Sequence, residues 1–197
     1  MKIADMPLMF KEDFKVIGNP LIVKTILGNA VHFDGIDDGY FLDFNPLKGM
    51  KAFTIEVVFK PDGDGYKSPR FMHLGETSGK RVMFETRINQ NGKWYFDAHF
   101  NPGENKSLTL IDSTKTHNSD QWYTLTVVVA NDSMTSYVNG AKELSGKIEF
   151  APFDSGKASF GFRQNYSSWF KGTIFMIRIS PSLLKRRQFL NLHNELN

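Results

Sequence analysis

An all-β fold, a sandwich or a barrel of antiparallel strands, is what the sequence predicts, and three observations carry that prediction. Short apolar or alternating segments recur from residue 14 to residue 179, each closed by Gly, Pro, Asn or Asp. Helical spacing shows itself only near the C-terminal end. Aromatic content is high, with 18 Phe, 6 Tyr and 3 Trp, which suits pleated surfaces and supplies the apolar area a two-sheet core needs. The length of 197 residues fits one domain over 1–197, and the 23% of charged residues is well mixed in sign, which argues against disorder.

Residues 1–12 are mixed in character and are expected to form a loosely ordered terminus. Strands are expected at 14–17 and 21–27, separated by Asn19-Pro20 and closed by Gly28-Asn29. The stretch 31–41 reads Val-His-Phe-Asp-Gly-Ile-Asp-Asp-Gly-Tyr-Phe. Its pairs Asp34-Gly35 and Asp38-Gly39 predict a tight turn, because Gly accepts positive φ and Asp bonds nearby backbone amides. A strand over 40–44 ends at Asn45-Pro46. At 53–60, alternation places Phe53, Ile55, Val57 and Phe59 on one face. Pro61 and Asp62-Gly63-Asp64-Gly65 end that strand. The acidic run does not complete an EF-hand, since no Glu follows at the required position, and it reads as an exposed turn.

Three strands follow at 70–74, 80–88 and 93–100, the last two joined at Asn91-Gly92, a strong hairpin signal. Val82, Phe84, Thr86, Ile88, Trp94, Phe96, Ala98 and Phe100 mark the core face, while Glu85, Arg87, Tyr95, Asp97 and His99 mark the other. Further strands are expected at 107–111, 122–130, 134–138, 148–150, 158–162 and 169–179. The segment 122–130 is nearly continuous in Val, Leu, Thr and aromatics, as in a strand covered on both faces. Trp94 and Trp122 fall in phase with apolar neighbours and are expected in the core. Pro181 and Ser182 begin a short helix through Leu192, with Leu183, Leu184, Phe189 and Leu190 as its apolar contacts.

The net charge of +3 is mild, and no basic patch with interleaved aromatics marks a nucleic-acid site. Lys185-Arg186-Arg187 reads as the wet face of the final helix. The absence of Cys excludes disulfides, thiolate nucleophiles and Cys-ligated zinc. His32, His73, His99, His117 and His193 show no metal-ligand spacing. No stretch approaches the ~20 apolar residues that span a bilayer. The N-terminus carries no signal-length apolar run, so the chain is expected in the cytoplasm, or exported if a leader precedes it.

Four segments, in order, resemble the laminin-G-like group of concanavalin A-like lectin/glucanase domains. They are Phe33-Asp34-Gly35-Ile36-Asp37-Asp38 before Tyr40-Phe41; Phe53-Thr54-Ile55-Glu56-Val57 ending at Lys60-Pro61; Gln121-Trp122-Tyr123-Thr124-Leu125 with Ser136-Tyr137-Val138-Asn139-Gly140; and Phe170-Lys171-Gly172-Thr173-Ile174 through Arg178-Ile179 and Pro181-Ser182-Leu183-Leu184. Together they span residues 31–190. The resemblance implies a jelly roll of two antiparallel sheets, one convex and one concave, closed here by the short C-terminal helix, with ligands on the concave face or in loops at its rim. Where the group often carries an acidic residue that helps hold calcium, this chain has Phe175. No cofactor is therefore expected; a structural calcium ion, if bound, belongs at Asp34 and neighbouring carbonyls.

The fold hosts binders and glycosidases alike. A laminarinase-like enzyme of this fold would show E-x-D-x-x-E on one strand, and neither Glu85-Thr86-Arg87 nor Glu56-Val57-Val58 completes it. A sugar site needs flat aromatic faces and planar polar groups. His73, Arg87, Tyr95, Asp97 and His99 offer both on one sheet face, and Asn165 and Tyr166 offer both in the loop 163–169; an ordinary polar sheet face or loop is the alternative. The expected function is a carbohydrate-binding or recognition module for a polysaccharide or glycan. One alternative is a glycoside hydrolase using Glu85 and Asp97, which could approach across the hairpin. A second is a structural or protein-interaction domain.

Overall fold

The alternation at 53–60 carries directly into three dimensions. In the computed structural model of the chain, which describes residues 1–130 and 132–192, Phe53, Ile55, Val57 and Phe59 are all fully buried on one strand face. The described residues form β1 (Phe14–Ile17), β2 (Leu21–Thr25), β3 (Gly28–Asp34), β4 (Gly39–Leu42), β5 (Phe53–Pro61), β6 (Arg70–Gly75), β7 (Arg81–Ile88) and β8 (Lys93–Gly103). They continue with β9 (Lys106–Ile111), β10 (His117–Asn118), β11 (Tyr123–Val129), β12 (Ser133–Val138), β13 (Ala141–Lys147), β14 (Lys157–Phe160) and β15 (Lys171–Ser180).

These strands build two antiparallel sheets, the jelly-roll sandwich that the resemblance implies. The eight-stranded sheet runs β1-β4-β14-β6-β7-β8-β10, with β9 also on β8, and the seven-stranded sheet runs β13-β12-β11-β5-β15-β3-β2. Aromatic contacts between the sheets seal the core. Phe59 of β5 stacks on Phe71 of β6 at 5.1 Å and meets Trp94 of β8 edge-on at 5.3 Å, and Phe53 meets Phe100 at 6.3 Å. Each such ring contributes roughly 1.5–3 kcal/mol from burial alone.

Within the stretch 31–41 the turn is confined to residues 35–38, between the end of β3 and the start of β4, and Gly28-Asn29, expected to close a strand, instead opens β3. Asp34 Oδ1 accepts from the Ile36 amide at 2.7 Å and the Asp37 amide at 3.3 Å, and Gly35 has φ +81°. Asp38, nearly buried, accepts from the amides of Asn19 at 2.7 Å and Asp34 at 3.1 Å, tying the turn to the β1–β2 connection. The Asn139-Gly140 turn has positive φ at both residues (47° and 71°), the backbone a two-residue hairpin turn demands.

Several expectations are corrected. The N-terminus is packed: Ile3–Asp5 and Met6–Phe10 form short helices, and Ile3 and Met6 are fully buried in the main core. Met1 and Ile177 exchange backbone hydrogen bonds at 3.0 and 3.1 Å, beyond the point where β3 stops pairing with β15. At the C-terminus the span expected as a helix is non-helical from Pro181 to Asn191 apart from one 3-10 turn, Arg186–Gln188, and lies across the outer face of the seven-stranded sheet. Backbone groups there bond to side chains of β5: Leu184 N donates to Thr54 Oγ1 at 3.0 Å, and Leu190 N donates to Glu56 Oε1 at 2.7 Å. The strand β13 went unseen because it is a polar, exposed edge strand held by its hairpin. Residues 148–150 make no strand; Ile148 and Phe150 instead pack into the sandwich. Trp122 lies on the far side of the seven-stranded sheet, against the cluster of Val58 and Phe175. His193 lies outside the described residues.

Candidate functional site

The site begins with a fault in β6. Pairing with β7 shifts between Arg70 and Met72, so Phe71 points fully into the core while Arg70 opposes Glu85 on the outer face. The hairpin of β7 and β8 sets the remaining pairs: Met83 opposite His99, Glu85 opposite Asp97, and Arg87 opposite Tyr95. His73 lies opposite Met83 and Ser159. The sequence-predicted residues His73, Arg87, Tyr95, Asp97 and His99 therefore share one sheet face, and Glu85 is the direct cross-strand partner of Asp97.

The loop 163–169, read from sequence as a separate candidate, joins this face. The Gln164 amide donates to His73 Nδ1 at 3.3 Å, and Arg70 Nη1 donates to Ser168 Oγ at 2.6 Å. Tyr166 is 60% exposed with φ +57°, beside Phe162, which itself stacks on Trp169 at 4.8 Å. Asn165 is exposed and accepts from Ser167 Oγ at 2.6 Å.

Two carboxylates lie beneath a layer of guanidinium groups. Glu85 and Asp97 are each 2% exposed. Arg87 Nε and Nη2 donate to Asp97 Oδ2 at 2.9 and 2.7 Å, and Nη2 also stands 3.3 Å from Glu85 Oε2. Arg87 Nη1 donates to Ser68 Oγ at 2.9 Å. Arg70 Nε lies 2.9 Å from Glu85 Oε1. Burial, and then the negative charge of Asp97, push the Glu85 carboxyl above its ordinary range, against the pull of Arg70 and Arg87. Burial lowers Arg70 and Arg81. Glu85 Oε2, Asp97 Oδ1, His99 Nε2, Arg81 Nε and Arg163 Nε are buried without a hydrogen-bond partner, a concentration of unsatisfied polar atoms that folded interiors avoid.

Two expected ligand contacts change role. His73 is fully buried and cannot meet a ligand; its Nε2–H is bonded to the Glu76 carbonyl at 2.9 Å, and burial drops it to about 4. It is a neutral strut that holds Gln164. Asp97 is covered by Arg87 and positions that guanidinium. His99, lowered first by burial, pairs through Nδ1 with Thr109 Oγ1 at 2.9 Å. Sequence reasoning missed Arg70, Arg81 and Arg163. Alternation along β7 already puts Arg81 on the face of Glu85 and Arg87, and Arg163 opens the candidate loop 163–169, but only the bulge in β6 and the fold-back of that loop bring Arg70 and Arg163 to the same face.

The opening turn is the only described group with metal-ligand spacing: Asp34, Asp37 and Asp38 offer oxygens within 4.8 Å of one another. That span suits calcium, but backbone amides already use Asp34 Oδ1 and both oxygens of Asp38. A calcium shell also needs six to eight oxygens. The residue opposite Asp34 is Lys171, whose ammonium is held by Asp64 at 2.5 Å. Phe175 is packed among Leu27, Ala30 and Val58. The three carboxylates by themselves supply fewer oxygens than a calcium shell takes, and their backbone hydrogen bonds hold the turn. The other described histidines are committed elsewhere: His117 to Glu143 at 2.8 Å, and His32 to Thr173 at 3.3 Å. Among the described residues, no helix is long and apolar enough to cross a membrane.

Residues 34–188 match a laminin-G-type family model described as the concanavalin A-like lectin/glucanases superfamily. No sequence among the curated proteins matches. Among solved structures, domain 4 of AbnA, a GH43 extracellular arabinanase from Geobacillus stearothermophilus in complex with arabinotriose, is 18% identical, with TM-score 0.64 over 87% of this chain and 79% of that one. The CBM40 of the Ruminococcus gnavus IT-sialidase, bound to α2,3-sialyllactose, is 13% identical, with TM-score 0.59 over 88% and 95%. The enzymatically active domain of bacteriophage CBA120 tailspike protein 2 is 12% identical, with TM-score 0.66 over 88% of this chain but 29% of that one. Identities this low speak for fold and not for shared chemistry. The family match, in contrast, spans most of a chain folded as this sandwich: the protein belongs to the concanavalin A-like lectin/glucanases superfamily.

Proposed function

We propose that the chain is a carbohydrate-binding module whose ligand lies on the outer face of the eight-stranded sheet, between the β7–β8 hairpin and the loop 163–169. The observation that carries this reading is an exposed aromatic, Tyr166, on the same face as the partly exposed guanidinium groups of Arg70 and Arg87. A sugar ring presents C–H surface to the first and hydroxyls to the second. Two fold neighbours support it, one in complex with arabinotriose and one with sialyllactose. The test is affinity electrophoresis and calorimetry against a panel of polysaccharides and oligosaccharides. Tyr166→Ala is expected to weaken binding about tenfold, the worth of one aromatic contact, with no change in melting temperature. Binding to no saccharide would overturn the reading and leave a structural or protein-interaction role.

A glycoside hydrolase is the second reading. Its favouring observation is a carboxyl raised by burial beside a second carboxylate, the arrangement that sets a general acid next to a charged partner. Against it, both groups are sealed under Arg70 and Arg87. Hydrolysis that persisted in a Glu85→Gln, Asp97→Asn double variant would remove this pair from catalysis.

A further inference from the structure

Charge on the candidate face is out of balance. Four of the chain's seven arginines, Arg70, Arg81, Arg87 and Arg163, gather there around only two carboxylates, Glu85 and Asp97. Each carboxylate is already charge-paired: Glu85 holds Arg70 at 2.9 Å, and Asp97 holds Arg87 at 2.7 Å. Arg81 sits opposite Asn101, donates Nη1 to the Gly79 carbonyl at 2.8 Å, and buries Nε without a partner. Arg163 has no ion pair among the described residues and likewise buries Nε unpartnered. The charge of Arg163 reaches Arg70 and Arg81, which it repels, as well as Glu85, which it attracts, so the cationic groups still outnumber the anionic ones. The two histidines of the face, His73 and His99, are held neutral and add no charge.

We propose that the saccharide bound here is acidic, and that Arg81 and Arg163 receive its carboxylate or sulfate group. This deepens the carbohydrate reading and rests on it. A neutral sugar leaves the repulsion between these guanidinium groups in place, whereas an anion between them removes it. Guanidinium suits the task better than ammonium, because its planar fork matches a carboxylate or sulfate edge with two parallel hydrogen bonds. Both side chains are half-buried and both leave Nε without a hydrogen-bond partner, so each keeps donor capacity that the protein itself does not use. Tyr166 then carries the ring from which the anion projects.

The test compares matched pairs by calorimetry near physiological salt: polygalacturonate against its fully methyl-esterified form, and dextran sulfate against dextran. The first pair isolates carboxylate and the second sulfate. The expected result is at least about tenfold tighter binding of one acidic member than of its neutral twin. Arg81→Gln and Arg163→Gln should each lose about tenfold on the acidic ligand alone. Arg163→Lys, which keeps charge without the fork, should recover only part of it, and Lys24→Gln, on the opposite sheet, should change nothing. Each variant is first checked for an unaltered thermal melt. Equal affinity within both pairs would overturn the inference while leaving the carbohydrate reading intact. Binding to no member of either pair, or to the wider saccharide panel, would overturn both. An equal loss in Lys24→Gln, or equally tight binding of a single-stranded DNA oligomer, would reduce the effect to general polyanion attraction and overturn it as well.

Discussion

Replacing Asp97 with asparagine removes the charge on which Arg87 closes two hydrogen bonds, at 2.9 and 2.7 Å. A charge-assisted hydrogen bond contributes about 1.5–3 kcal/mol when the pair is well buried. Asp97 is 2% exposed, but the Arg87 side chain is 32% exposed, so solvent screens the pair and the figure must come down. Two further effects soften the loss. Arg87 Nη2 already stands 3.3 Å from Glu85 and can tighten there, and Glu85 is freed from a like-charged neighbour. The single variant should therefore cost about 1–2 kcal/mol, a fall of roughly 3–6 °C in Tm for a chain of this size. A double-mutant cycle with Arg87→Gln, read by urea unfolding near neutral pH, should return a coupling of about 2 kcal/mol. A coupling under about 0.5 kcal/mol, the usual error of additivity, would refute the view that this buried pair organises the face.

Three other outcomes follow from the geometry. In the folded chain His73 resists protonation down to about 4, whereas its ordinary value is 6.5. Its contribution is thus full above the ordinary value and is lost as pH falls from there towards about 4, a total near 3 kcal/mol. Urea midpoints measured across that window should fall with pH, and less so in His73→Gln. Gly39→Ala places a Cβ 2.3 Å from Cδ1 of Phe162, whose ring is pinned against Trp169. That overpacking should cost about 1–3 kcal/mol and weaken saccharide binding by shifting the loop that carries Tyr166. At the opening turn, millimolar calcium should raise Tm by less than about 1 °C, since a ligand at half its Kd adds only about 0.2 kcal/mol; a shift of several degrees would show that Asp34, Asp37 and Asp38 hold an ion.

The fold was legible wherever its cause is local. Phe53, Ile55, Val57 and Phe59 share a face because the chain is pleated, and Asn139-Gly140 turns because its backbone adopts positive φ. Elements whose cause is not local escaped. The edge strand β13 is polar and is specified by its hairpin and neighbour, while Ile3 and Met6 look like terminal residues until the sandwich is closed beneath them. Strand alternation likewise put Arg87, Tyr95, Asp97 and His99 on one face, but not how deep each would lie.

By itself, then, the sequence determined the strand-rich class, the opening Asp-Gly turn and the polar side of the β7–β8 hairpin, all set by dihedral preference and a period of two. Only the tertiary structure decided that His73 and Asp97 are buried struts, that Arg70 turns outward at a bulge, and that Arg163 arrives from a loop far along the chain. Burial and charge balance depend on what packs over a residue, and that information is spread across strands which meet only when the two sheets close.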